Sequence, residues 1–298
     1  MTFGMPEYSA PDFDSPAFAG LPEAAMLEAP MDGVAPENYH ATGIYPEYFH
    51  IDGKWLLAEE SRMDCVPVYE NGRIEITEFR RLRKGQKVVL GRTEDGSEGI
   101  YVHMDGFEEK KQGGMQFAFR QGRSRETAYS KDYDQLYSLL KWEKEHGGNI
   151  LWVMGPACAF DSDSRKAMEA IIKGGYANGL MAGNALATHD LEAGLMRTAL
   201  GQDIYTQEIR HNGHYNHIDT INKARACGSI REFAERYGIR DGIISSCLEM
   251  DVPYVLAGSI RDDGPLPGVY ANVYEAQDAM RDLVRQATTI ICMASVLH

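Results

Sequence analysis

Pro253-Tyr254-Val255-Leu256-Ala257-Gly258-Ser259-Ile260-Arg261-Asp262-Asp263-Gly264-Pro265-Leu266-Pro267 reads as a strand running into a charged turn. The apolar run Val252 to Ala257 has the length and composition of a buried strand and stops at Gly258-Ser259. In open α/β sheets, ligands bind just beyond the carboxyl ends of the strands. A cation followed by two carboxylates at that place suits the two ends of an amino acid. Arg261 can grip a carboxylate with its planar fork. Asp262 or Asp263 can hold an amine or move a proton. The alternative is a polar surface loop stiffened by Pro265 and Pro267.

Upstream of this stretch the pattern alternates helix and strand. Ser130 or Asp132 caps a helix carrying Tyr133, Leu136, Tyr137 and Leu140 on one face, ended by Gly147-Gly148. Ile150 to Met154 is a short apolar strand that runs into Gly155-Pro156-Ala157. A helix through Met168 and Ile172 stops at Gly174-Gly175; a second strand, Gly179 to Ala182, meets Gly183-Asn184-Ala185. A further helix covers about Leu186 to Leu200, and Ser229-Ile230-Arg231-Glu232 has capping-box spacing. Residues 243–247 and 252–257 read as strands, Val273 to Ala287 as a helix and Thr288 to Met293 as the last strand. Helices and strands alternating at these lengths predict an α/β fold, a Rossmann-like, doubly wound parallel sheet over residues 126–298.

Residues 40–125 carry a different signal. Asp52-Gly53, Asn71-Gly72 and Asp95-Gly96 each lie between apolar runs, and such pairs accept the positive φ angles of tight hairpins. They predict a small antiparallel β domain with Pro67 at an edge. The glycine-rich, basic stretch 105–128 reads as the connection to the α/β domain. Residues 1–39 contain no Lys or Arg and hold seven acids and six of the chain's 12 prolines. That composition predicts an irregular acidic arm, with Phe13, Phe18 and Met26 as anchors onto a neighbouring subunit of a homo-oligomer.

Composition excludes several classes. The 298 residues, 44% hydrophobic, can bury a substantial core, and 30 Lys plus Arg against 44 Asp plus Glu give a net charge of −14. An acidic balance argues against nucleic acid or an anionic membrane as partner. No apolar run is long enough for a membrane span, and the N-terminus lacks the pattern of a signal peptide. Cys65, Cys158, Cys227, Cys247 and Cys292 are scattered without a CxxC, which reads as free thiols in the cytoplasm.

The glycine turns at the strand ends are the candidate nucleotide crevice. Gly155, Pro156, Ala157, Gly183, Asn184, Ala185, Gly258 and Ser259 would let a diphosphate approach backbone N–H groups and the positive end of a helix, although no GxGxxG is present. Each turn taken singly also reads as an ordinary strand–helix junction. His189 and Asp190, with Glu192 close by, form a candidate proton-transfer pair; a helix histidine satisfied by hydrogen bonds is the other reading. His211, His214 and His217 are spaced by three, but Gly213 interrupts them, so no metal site is assigned. Cys247, in apolar surroundings, reads as a core thiol.

From about Tyr45 onward the chain resembles the family named for a conserved region of lysine-oxoglutarate reductase and saccharopine dehydrogenase. Its members include archaeal-type ornithine cyclodeaminases and the C-terminal half of bifunctional arginine dihydrolase/ornithine cyclodeaminases. The resembling segments are Asp52 to Trp55, Met63 to Cys65, Lys84 to Val89, Gly155 to Ala157, Leu180 to Glu192, Gly213-His214 with His217, Ile221-Asn222 and Val252 to Pro267. The acidic arm stands where the family carries a further N-terminal domain, and the chain stops at His298 where relatives run on. The resemblance implies a deoxyhypusine-synthase-type Rossmann-like domain that binds NAD and converts L-ornithine to L-proline plus ammonia. Under it, Arg261 binds the substrate carboxylate, Asp262 or Asp263 an amine, and His189 or Asp190 transfers protons. The rival readings are an NAD-dependent enzyme acting on another amino acid and a non-catalytic nucleotide-binding subunit.

Overall fold

Alternating apolar runs and tight turns fold the first part of the chain into antiparallel strands: β1 (Ala25–Glu28), β2 (Glu47–Ile51), β3 (Lys54–Leu57), β4 (Val66–Glu70), β5 (Arg73–Thr77), β6 (Lys87–Leu90) and β7 (Ile100–Val102). The computed structural model describes residues 7–107, 130–260, 262 and 264–293, with backbone only for 130–132. The chain divides into two compact units, the first spanning Gly4–Arg123 and the second Ser124 onward. In the first unit one sheet has the order β1-β6-β4-β5 and the other β3-β2-β7. Asp52 and Gly53 (φ 51° and 70°) close the β2–β3 hairpin, and Asn71 and Gly72 (φ 53° and 80°) close β4–β5, as their sequences predict.

Three expectations for this unit are corrected. Asp95-Gly96 does not join β6 to β7 as a hairpin, because β6 pairs with β1 and β4 while β7 pairs with β2. Pro67 lies in an interior strand; the ladder between β4 and β6 begins at Val68, so no bond is asked of the missing Pro67 N–H. The acidic arm is not irregular throughout. Its proline-free segment between Pro22 and Pro30 becomes β1, paired along β6, and Phe13 stacks on Trp55 within its own unit with centroids 4.9 Å apart and planes 9° apart.

The second unit comprises α1 (Ser130–Glu145), β8 (Ile150–Met154), α2 (Ser162–Lys173), β9 (Gly179–Gly183), α3 (Asn184–Met196), β10 (Thr198–Ala199), β11 (Gln202–Asp203), α4 (His214–Cys227), α5 (Ile230–Tyr237), α6 (Ile243–Glu249), β12 (Tyr254–Ala257), α7 (Val273–Val284) and β13 (Thr289–Met293). Asp161, Ser229 and Asn272 cap α2, α5 and α7 through their side chains. All pairings in the four-stranded sheet are parallel, and the order is β12-β9-β8-β13. Counted along the chain this is 3-2-1-4, the Rossmann-like order. Ile150, Trp152, Met154, Leu180, Ala182 and Leu256 project from the sheet into the main core, against Met168, Leu186, Leu191 and Phe233 from the helices. No helix among the described residues is long and apolar enough to cross a membrane.

Residues 243–247, read above as a strand, form the start of α6. Ile243, Ile244, Cys247 and Leu248 fall on one helical face as well as in a short apolar run, and run length alone does not separate the two. The choice is made from outside the segment. The Asp190 carboxylate accepts hydrogen bonds from Ile243 N (3.0 Å) and Ile244 N (2.8 Å), serving as the N-terminal cap of a helix 53 residues further on. Gly242, at φ 96°, makes the turn, and a Cβ there would meet Arg165 Nη2 at 2.1 Å.

Candidate active site

Four parallel strands end side by side at Met154, Gly183, Ala257 and Met293. After β8 the chain adds β9 and β12 on one side, then returns to place β13 on the other, so the strand order reverses between β8 and β13. Ligands of such sheets bind at this switch point. The Gly155-Pro156-Ala157 turn leaves β8 there, and Gly155 N donates to Met293 O across it at 2.9 Å. Gly155 (φ −88°) and Gly183 (φ −92°) adopt angles open to any residue. Conformational freedom is therefore not what calls for glycine at either position. Gly183 also precedes α3, whose first turn has no side-chain cap among the described residues and includes the exposed Ala185.

The third turn is held differently. A Cβ on Gly258 would meet Tyr270 O at 3.0 Å, so packing against residue 270 accounts for this glycine. Asn184, expected to line the cofactor, spends its side chain on the 258–267 loop. Its Nδ2 donates to Asp262 Oδ1 (3.0 Å) and its Oδ1 accepts from Leu266 N (3.0 Å). The other oxygen of Asp262 accepts from Ser259 N at 2.7 Å. Asp262 therefore ties the loop to the start of α3. Arg261 and Asp263 lie outside the described residues.

His189 is buried on α3, one ring edge against Phe160 (5.4 Å between centroids), the residue that ends the turn after Gly155-Pro156-Ala157. Its Nδ1 lies 3.0 Å from Glu192 Oε2. Glu192 is fully buried and accepts from Thr198 Oγ1 (2.7 Å), Leu200 N (3.1 Å) and Gly201 N (3.1 Å). Backbone amides can only donate, and with the Thr198 hydroxyl they make both Glu192 oxygens acceptors, a setting that suits His189 Nδ1–H as a fourth donor. In the neutral ring the lone pair then resides on Nε2, the arrangement of an oriented general base. Close backbone contact builds this socket. A Cβ on Gly201 would meet the Gly213 carbonyl carbon at 2.4 Å, so the two glycines let the Leu200–Gly201 amides close over Glu192.

Asp190, the other proton-transfer candidate, is not placed for that work. It is 1% exposed, and besides the two α6 amides it accepts from Arg165 Nε at 2.9 Å. Arg165 reaches on to Asp241 Oδ2 at 2.9 Å. This is a buried structural ion pair, and its adjacency in sequence to His189 is incidental. The burial of Cys247 pushes its thiol up to about 12, as fits a core thiol.

Gly213 interrupts the histidine-bearing segment as expected: it precedes α4, which begins at His214 and carries His214 and His217 one turn apart, with His211 left in the preceding turn. Asn216 Nδ2 donates to Thr198 Oγ1 (2.8 Å), tying α4 to the Glu192 socket, and the His217 ring lies 6.0 Å from that of His189. No group of three His, Cys, Asp or Glu side chains among the described residues is gathered to hold a metal ion. Thr198, Asn216 and the Glu192 hub are absent from the sequence-derived site, because a Thr, an Asn and two backbone amides carry no motif of their own.

The nearby β10–β11 turn has its own acid–base device. Arg210 together with the backbone amides of Tyr205 and Thr206 holds the Asp203 carboxyl down at about 2. Its folded value is below the ordinary 3.8, so its stabilisation is present above that pH and is lost as pH falls towards about 2. The melting temperature of the parent should exceed that of Asp203→Asn near neutral pH, with the gap closing across that acid window; a gap independent of pH would contradict the assignment.

Residues 134–298 match the family described as arginine dihydrolase ArgZ-like, C-terminal, Rossmann fold. The chain is 38% identical to the ornithine cyclodeaminase of Methanothermobacter thermautotrophicus over 284 residues, covering 95% of this chain and 67% of that protein. The corresponding protein of Methanopyrus kandleri is also 38% identical, with 66% of its length covered, so the chain spans about two thirds of these relatives. Among solved structures, a conserved LOR/SDH protein from Methanococcus maripaludis superposes with a TM-score of 0.83 at 32% identity, over 93% of this chain and 82% of that one. The ternary complex of AgrE with ornithine and NAD+ gives a TM-score of 0.54 at 29% identity, over 94% of this chain and 38% of that one. With more than half of its length matched by the family and an archaeal relative aligned over nearly all of it, the chain belongs to the ArgZ-like C-terminal Rossmann-fold family.

Proposed function

We propose that the chain is an NAD-dependent ornithine cyclodeaminase that converts L-ornithine to L-proline and ammonia without net oxidation. The observation that carries this reading is a histidine base oriented by a buried carboxylate, His189 on Glu192, beside the glycine turn at the switch point of a 3-2-1-4 sheet. The ornithine and NAD+ of the AgrE complex supply the ligand chemistry. The side-chain-free Gly155 and Gly183 turns and the uncapped start of α3 fit the diphosphate of NAD. When bound, NAD+ would supply the oxidation, accepting the hydride that the α-carbon gives up and later returning it. His189 takes a proton from the substrate nitrogen and returns it to the departing ammonia. Arg261 binds the substrate carboxylate and Asp263 an ammonium group, on a loop held in place by Asn184 and Asp262. In this reading residues 126–298 carry cofactor and chemistry, residues 40–125 form a separate β domain, and the chain works as a cytoplasmic homo-oligomer.

Purified chain given L-ornithine and NAD+, with no reductant, should release proline and ammonia in equal amounts while reduced cofactor does not accumulate. Steady accumulation of reduced cofactor would favour a dehydrogenase instead. Gly183→Val should keep its fold, because φ −92° suits valine, yet bind NAD+ more weakly by roughly 1–3 kcal/mol from the clash. Unchanged calorimetric affinity in the folded variant would remove Gly183 from the cofactor site.

A further inference from the structure

The sequence singles out His214 and His217, and the base on Glu192 uses neither. His217 lies on the inward face of α4, one turn before the buried Thr220, with Ile221 and the buried Ala224 beyond. Its ring stands 6.0 Å from the His189 ring, with 59° between the planes. Its Nδ1 is shielded from solvent and has no hydrogen-bond partner among the described residues. A buried ring nitrogen left unpaired is costly unless a ligand or a water reaches it. Burial holds the ring below the ordinary histidine range, and so do the neighbouring His189 and His214, while Glu192 pulls the other way. An unclaimed ring nitrogen beside the His189–Glu192 pair is open to exchange a hydrogen bond or a proton with a bound ligand.

The proposed reaction needs such a second acceptor. A diamino acid enters with two ammonium groups. The α-nitrogen loses protons as the α-carbon becomes a C=N carbon. The side-chain ammonium must separately lose one proton before its lone pair can attack that carbon. In that step the side-chain N–H bond breaks, the new C–N bond forms, and the C=N electron pair moves onto the α-nitrogen. That nitrogen then leaves as ammonia with the C–N bonding pair and the protons held in the site, while the ring-nitrogen lone pair forms a new C=N bond, which the returning hydride reduces. One base already committed to the first nitrogen cannot serve the second at once.

We propose that His217 is the second general base of the site, taking the proton of the side-chain amine of a diamino-acid substrate while His189 serves the α-nitrogen. This assignment rests on the cyclodeaminase reading for its chemistry, and its test separates the two. Ring-¹⁵N NMR of the full chain, with the His217 signal identified from His217→Gln, is recorded with reduced cofactor present so that no turnover begins. The His217 signal should move on adding L-ornithine and stay in place on adding L-norvaline, which has the same chain length without the second amine. Equal responses, or none, overturn the proposal even if the parent makes proline.

The second readout is rapid mixing of His217→Gln with NAD+ and ornithine. Absorbance of reduced nicotinamide should still rise, because oxidation precedes the use of His217, while proline formation falls about a hundredfold or more. Proline formation at the parental rate, or equal loss of both signals, overturns it. If the parent makes no proline but its His217 signal still distinguishes ornithine from norvaline, the amine base stands and the cyclodeaminase reading falls.

Discussion

His189→Gln should lose at least about a hundredfold, and up to roughly ten-thousandfold, in kcat for proline formation, while NAD+ affinity and melting temperature stay near those of the parent. Glutamine can still donate to Glu192, so the socket formed with Thr198, Leu200 and Gly201 keeps its hydrogen bonds. What it cannot do is take and return a proton at a second ring nitrogen. The prediction separates catalysis from packing, because His189 is also buried against Phe160. A purely structural histidine would give the opposite pattern, a lower melting temperature with little change in kcat once folded protein is counted.

The largest stability effect is expected at the next residue of α3, Asp190, and its partner Arg165 on α2. Arg165→Met removes the cation that Asp190 faces at 2.9 Å and leaves a carboxylate buried to 1% exposure with only the α6 amides as partners. Breaking one side of a buried pair typically costs about 3–5 kcal/mol. For a domain of this size that lowers the melting temperature on the order of 10 °C. Adding Asp190→Leu should recover only part of the loss. The buried charge is then gone, but the Ile243 and Ile244 amides also lose their acceptor and α6 its cap. Arg165→Met within about 1 kcal/mol of the parent would contradict the ion pair's structural role. NAD+ affinity of the folded fraction should be unchanged, since the partners of Arg165 and Asp190 among the described residues lie at Asp241 to Ile244 and not in the strand-end turns at Gly155 and Gly183.

These contrasts show what the sequence carried and what it could not. The apolar runs at Ile150–Met154, Gly179–Gly183 and Tyr254–Ala257 are local signals, and each forms a parallel strand. The strand-end glycines at 155 and 183 are equally local, whereas the reason for Gly258 lies at Tyr270. Asp190 looked catalytic only because it adjoins His189; its partners are 25 residues back in Arg165 and 53 residues on in Ile243. The same distant carboxylate makes α6 a helix, which no window around residues 243–247 contains. Glu192 was noticed as a neighbour of His189, but its role as a hub depends on the backbone amides of Leu200 and Gly201, which have no residue type to betray them. The arm strand β1 was hidden by the prolines and acids around it, since four suitable residues suffice to pair with β6.

The proposed reaction oxidises the α-carbon of ornithine and restores it within one turnover, using groups gathered at the ends of β8 and β9. It is tested most directly with L-ornithine carrying deuterium at the α-carbon, turned over by the full chain with a catalytic amount of NAD+ in ordinary water. Proline should retain the deuterium at its α-carbon and form together with one ammonia and without net reduced cofactor. Proline whose α-position carries solvent hydrogen, or ammonia released without any proline, would contradict it.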